Sequence, residues 1–278
     1  HGSAGALAEA SRNVVCVGAE PIAYTDCCNF GNPEKPEVFW QFKRGIEGLS
    51  YMSRKLGIPC VGGNVSFYNE DTQLKVAVKP SLVVVMLGLV EDLNWITTMS
   101  FKNPGETVIL IGDTYSEMGG SEYYHEIHGL TGGNPPRVHA EKEKAVIKTV
   151  MDAIRKGYVT AAHDCSKGGL AVALALMSLK GRFGLHADLG KISSYVNRVD
   201  ELLFSETYSR IIVTSNEENV KRILEIAALN NIAAEPLGKV VDGDAFNLYF
   251  NGKAIVECSV NLMEKLWNDS IPKIMESK

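Results

Sequence analysis

Ile58-Pro59-Cys60-Val61-Gly62-Gly63-Asn64-Val65-Ser66-Phe67-Tyr68-Asn69-Glu70 is the stretch whose reading decides the fold. Ile58 to Val61 reads as a short buried strand. It delivers two adjacent glycines, which let backbone and ligand approach closely because no Cβ intervenes. Asn64, Ser66, Asn69 and Glu70 follow with hard oxygen donors of the kind Mg²⁺ and phosphate-rich ligands take. The same residues also suit a plain polar turn between two strands.

Outward from this segment, strands and helices alternate, which predicts an α/β (α+β) class. Upstream, Gly5 to Val15 has helical spacing, and Pro21 to Tyr24 is a short strand. Val38, Phe42, Ile46, Leu49, Ser53 and Leu56 step by three or four, predicting a helix that Pro36 opens and Gly57 ends. Downstream, Ser81 to Val90 is an almost unbroken apolar strand, as in a sheet covered on both faces. Polar residues from Glu91 to Glu106 mark a boundary. They predict one domain over residues 1–94 and a second over 95–278.

In the second domain Thr107 to Gly112 is the first strand, and Tyr115 to Arg137 reads as irregular, rich in Gly and Pro. A helix is predicted from Val138 to Lys156, a strand end at Thr160 to Asp164, and a helix from Leu170 to Leu179. Arg210 to Thr214 reads as a strand. Ser215 with Glu218, and Asn261 with Glu264, read as capping boxes. Asn251-Gly252 between apolar runs is a hairpin signal.

The 278 residues carry a net charge of -5, which argues against a broad nucleic-acid face. No apolar run reaches the ~20 residues a membrane span needs. Six cysteines without C-x-x-C spacing predict free buried thiols in a reducing cytoplasm. His1-Gly2-Ser3 reads as a remnant of cloning, with the natural segment starting near Ala4.

Three further segments carry candidate chemistry. Thr25-Asp26 with Asn29 and Gly31 ends a strand in a carboxylate, suited to a metal or a nucleotide and equally to an Asx-turn. His163-Asp164 runs through Lys167-Gly168-Gly169 into a helix whose free N–H groups would favour an anion. Phe204 to Arg210 is either a polar binding edge or a solvated turn. P-loop, dinucleotide-binding and nucleophile-elbow motifs are missing.

Asp26-Cys27-Cys28-Asn29-Phe30-Gly31-Asn32-Pro33-Glu34-Lys35-Pro36-Glu37, the Gly62 to Glu70 segment, and His163-Asp164 before Gly168-Gly169-Leu170-Ala171 together resemble phosphoribosylformylglycinamidine synthase, synthetase subunit. The third motif is shared more loosely with aminoimidazole ribonucleotide synthetase and its superfamily. The resemblance spans the whole chain and implies the C-terminal half of that subunit, in two-domain aminoimidazole ribonucleotide synthetase-like architecture, with the first domain N-terminally truncated.

By that resemblance Asp26 and Gly63 would contact ATP, Asn64 would ligate Mg²⁺, and Ser66 would bind the substrate, formylglycinamide ribonucleotide. The family's catalytic histidine belongs to the other half, so no catalytic residue is expected here, and none is carried onto His163 or Glu206. Implied partners are the N-terminal half, a glutaminase subunit and a small accessory subunit. An unpaired sheet edge would favour a homodimer. Cys28 and Lys167 depart from the family's usual aliphatic and acidic residues, and Lys167 weakens any metal role for Asp164. The alternatives are a free-standing superfamily relative working as a homodimer, and a non-catalytic half that holds a nucleotide.

Overall fold

The computed structural model describes residues 1–192 and 194–276; Ser193, Ser277 and Lys278, within the predicted second domain, lie outside the described residues. The chain runs α1 (Gly2–Cys16), β1 (Glu20–Asn29), α2 (Pro36–Leu56), β2 (Cys60–Ser66), β3 (Glu70–Asp71), β4 (Val76–Ala77) and β5 (Ser81–Leu89). It continues through β6 (Thr107–Ile111), β7 (Thr114–Tyr115), α3 (Glu122–His128), α4 (Ala140–Arg155), β8 (Ala161–Asp164), α5 (Gly169–Gly181), β9 (Gly184–Asp188) and β10 (Ser194–Tyr195). Then come α6 (Val199–Phe204), β11 (Ile211–Ser215), α7 (Glu217–Leu229), β12 (Ala234–Val241), β13 (Ala245–Phe250), β14 (Lys253–Ser259) and α8 (Val260–Glu276).

The first unit is a three-stranded sheet in the order β2-β1-β5. β1 pairs parallel with β2 and antiparallel with β5. α1 and α2 cover one face, where Leu7, Leu49 and Met52 pack with Tyr24, Leu82, Val84 and Met86. α2 forms as its apolar spacing predicts, and Gly57 closes it at φ 74°, a left-handed cap that suits glycine.

The second unit is a seven-stranded sheet, β14-β13-β9-β12-β6-β11-β8, antiparallel except for β13 beside β9. β6 is buried along its whole length. Val108 and Leu110 face a core built with α5 and α6, and Ile109 and Ile111 face one built with α4, α7 and the end of α1. The Asn251-Gly252 hairpin joins β13 to β14 with both residues at positive φ, 52° and 78°, as a type I′ turn requires.

Five expectations need correction. The stretch from Tyr115 to Arg137, read as irregular, holds the helix α3 over Glu122–His128, which the Ser121 side chain caps by accepting from Tyr124 N–H. β5 is covered on one face only: Val83, Val85, Leu87 and Leu89 are 54, 60, 57 and 49% exposed, because no layer packs there among the described residues. β2 is an exposed edge strand rather than a buried one, and only Ile58 before it is buried. The two capping boxes do not form. Ser215 is buried and donates to the carbonyls of Tyr158 and Asn216, while the Ser259 hydroxyl accepts from Leu262 N–H at the start of α8. Of the six free thiols, Cys16, Cys28 and Cys165 are buried, but Cys60 is exposed on the edge strand.

α1 joins the two units. Its first turns belong to the first core, and Val15 and Cys16 to the second. Gly5 lies under the ring of Tyr208, so close that a Cβ would sit 2.2 Å from it. No helix is long and apolar enough to cross a membrane among the described residues.

Candidate functional site

The parallel pairing of β1 and β2 aligns Asp26 with Gly63, Cys27 with Asn64, and Asn29 with Ser66. The two predicted ligand segments are therefore neighbours. Their side chains do not converge, because strand side chains alternate between faces. Asp26 points to the helix-covered side, where Cys28 Sγ and Cys60 Sγ lie 3.4 and 3.6 Å from its carboxylate oxygens. Asn64 and Ser66 point to the open side with Cys27. Asp26 and Asn64, both candidate ligands by the resemblance, therefore lie on opposite faces of the sheet.

Gly63 has a specific reason to be glycine. A Cβ there would stand 2.8 Å from Asp26 Oδ1. Its absence lets the Asp26 carboxylate lie across β2 toward the sheet edge. The carboxylate and burial push the Cys28 thiol up to about 12, burial being the larger cause, so Cys28 stays protonated and can donate to Asp26. On the open face the Asn64 amide nitrogen is 3.0 Å from Ser66 Oγ. The amide oxygen has no hydrogen-bond partner among the described residues, a donor set that fits one ligand position of a hard cation. Asn69 instead donates its amide nitrogen to the Ser66 carbonyl, and the Glu70 carboxylate pairs with Lys35 at 2.9 Å, so both side chains have structural partners.

The His163 to Leu170 segment does connect a strand to a helix, but its anion is internal. Glu206 Oε1 accepts from Gly168 N–H and from Glu122 N–H, both at 2.9 Å, tying the starts of α5 and α3 together. Burial holds the Glu206 carboxyl above its usual range against those two donors. Lys167 is turned away to Glu122 at 2.9 Å. Burial lowers the pKa of His163 and raises that of Asp164, whose nearest cation is Arg12 at 3.8 Å. The Phe204 to Arg210 segment is not a solvated turn, since Ser205, Thr207, Ser209 and Arg210 are buried. Buried Arg210 stitches it, donating to the carbonyls of Ser205 and Thr207 and to Thr114 Oγ1.

Sequence reasoning missed Arg12. It sits wholly buried on α1, donates to Glu143 Oε1 at 2.7 Å, and Glu143 Oε2 accepts from Ser209 at 2.5 Å. A cation in line with Ala8 and Val15, on the apolar face of a helix, was the available signal. This group joins α1 to α4 and β8.

The chain matches the AIR synthase related protein N-terminal domain over residues 1–90 and the corresponding C-terminal domain over residues 103–251. It is 45% identical over 274 residues to the phosphoribosylformylglycinamidine synthase subunit PurL of Moorella thermoacetica, covering 99% of this chain and 36% of that protein. The chain thus spans about a third of the length of the curated relatives it matches. In fold it is similar to T. maritima PurL complexed with ATP, with a TM-score of 0.75, 20% identity, and 95% of this chain against 41% of the other. The same protein complexed with FGAR gives 0.75, 22%, 95% and 42%. With both of its domain types present in order, the chain belongs to the AIR synthase related family.

Proposed function

We propose that the chain is the C-terminal portion of a phosphoribosylformylglycinamidine synthase, an ATP-dependent ligase of purine biosynthesis acting in the cytoplasm. The observation that carries this reading is the open face of β5 beside Asn64 and Ser66. An apolar row of four exposed side chains calls for a covering layer. The covering partner is the N-terminal half of the same synthetase. Its arrival would turn the strand pair into a wall of a closed site. The division into residues 1–94 and 95–278 belongs to the same proposal.

In this reading the γ-phosphoryl group of ATP passes to the glycinamide carbonyl oxygen of formylglycinamide ribonucleotide, and the formyl group stays intact. Ammonia from a glutaminase partner then displaces phosphate and leaves the amidine. A small accessory subunit completes the assembly. Asp26, extended over Gly63, and the Gly63 backbone hold the nucleotide at the sheet edge. Ser66 orients the ribonucleotide. Asn64 would supply one oxygen to Mg²⁺, which when bound offsets charge on the transferring phosphoryl group. Because β2 is an edge strand, a ligand along that edge reaches residues of both faces. The apolar row, once covered, keeps out the water that would hydrolyse the activated amide. The reaction's proton transfers are assigned to the other half, and none to His163 or Glu206.

The test is ammonia-dependent amidine formation. The chain alone is expected to show none, and mixing with the N-terminal half to restore it. Turnover by the chain alone would overturn the division of labour. A homodimer through the unpaired β2 edge, tested by sedimentation, is the competing occupant of the open sheet.

A further inference from the structure

The loops between β7 and α4, together with His1, line an open cavity of about 550 Å³; Asp26, Gly63, Asn64 and Ser66 are not among its lining residues, and the proposed ligase function does not use it. Two loop segments cross to build it. A Cβ on Gly119 would lie 2.1 Å from the Asn134 carbonyl oxygen, and Gly133, at φ 89°, would put one 2.9 Å from Gly119 Cα. Only glycines allow that crossing. The Gly120 N–H to Gly132 carbonyl bond, 2.8 Å, pins it.

The polar groups on the wall are unevenly satisfied. Glu117 Oε1 accepts from Arg137 N–H at 2.8 Å. Its other oxygen, Oε2, is buried and has no hydrogen-bond partner among the described residues. A buried carboxylate oxygen without a donor is costly and asks for one. Arg210, the nearby buried cation, spends its guanidinium on Ser205, Thr207 and Thr114. At the rim the exposed Arg137 side chain makes no ion pair among the described residues, and Asn134 also lines the cavity. The Tyr124 ring supplies a flat apolar wall.

We propose that this cavity is a separate binding site for a small phosphate monoester carrying hydroxyl or amine donors at its other end. The donors meet Glu117 Oε2 inside, the phosphate meets the Arg137 fork at the rim, and Tyr124 packs against the body between them. The volume suits a ligand of sugar-phosphate to mononucleotide size. A forked guanidinium prefers such an anion.

Isothermal titration with ribose 5-phosphate and with AMP tests this, using ribose, adenosine and gluconate as controls. Saturable binding of a phosphate probe is expected, weakened about tenfold or more in both Glu117→Gln and Arg137→Ala. Arg137 is exposed, so its variant should fold, and a melting curve confirms it. Asp26→Ala should leave ribose 5-phosphate binding unchanged, which separates this site from the nucleotide loops. The proposal is overturned if no phosphate probe saturates at millimolar concentration, if both cavity variants bind like the parent, or if gluconate binds as well as ribose 5-phosphate.

Discussion

The two sheets of this chain treat their faces differently. The seven-stranded sheet has helices on both sides, so Val108 and Leu110 face one core while Ile109 and Ile111 face another. The three-stranded sheet has helices on one side only, and β5 alternates between half-buried and exposed residues along its length. Both sheets use the same residue types, yet one is finished within this chain and the other is not. Burial therefore depends on what the rest of the chain brings to a strand, and the unfinished face is where the proposed companion would dock. The candidate ligand residues Asn64 and Ser66 stand on that unfinished face.

The largest effect in the finished region is expected at Arg12, which also ties the two units together. Arg12→Met leaves Glu143 and Asp164 buried without their cation, and should cost about 3–5 kcal/mol in chemical denaturation. A loss below about 1 kcal/mol would mean that the seam is not held this way. Leu174→Ala, in the core between α5 and the seven-stranded sheet, should cost about 2–5 kcal/mol.

The unfinished face should respond in the opposite sense. Val85→Ser is expected to change the stability of the isolated chain by about 0.5 kcal/mol or less, while weakening its capture by the N-terminal half in a sedimentation assay. A large loss of stability in the isolated chain would show that the face is already covered. Gly63→Ala places a methyl group where the Asp26 carboxylate lies. ATP binding should fall about tenfold, as expected for displacing one charged hydrogen-bond partner, with little change in melting temperature.

The smallest effect concerns pH. Burial lowers the folded-state pKa of His163 below its ordinary 6.5. Between that lowered value and 6.5 the unfolded chain binds more protons, so stability rises with pH across this window and falls on acidification. His163→Gln should flatten the dependence of melting temperature between about pH 7 and 5.5. An unchanged slope would assign the titration elsewhere.

Much of this architecture was legible before any coordinates. The spacing from Val38 to Leu56 located α2, Gly57 its end, and Asn251-Gly252 the last hairpin, because each depends on a few neighbouring residues. The ligand segments were legible as motifs, and their adjacency in register is what two parallel strands ending alike produce. The opposite orientation of Asp26 and Asn64 was not legible, since it follows from the register Asp26↔Gly63, a pairing between strands more than thirty residues apart in sequence. Glu206 as the internal anion of the Gly168 helix start was hidden for the same reason: donor and acceptor are 38 residues apart.

By itself the sequence determined the alternation of strands and helices, the position of α2 and the last hairpin, the glycines at caps and turns, and the family to which its motifs are similar. Local backbone preference and hydrophobic period set all of these over short windows, but did not locate α3, β9, α6 or β12. The tertiary structure alone decided which strand faces are covered, where Arg12 finds its carboxylates, and that the chain fills one helix start with its own Glu206. Those outcomes depend on surfaces and charges brought together from distant segments, where the free energy of burial and pairing is settled by neighbours in space.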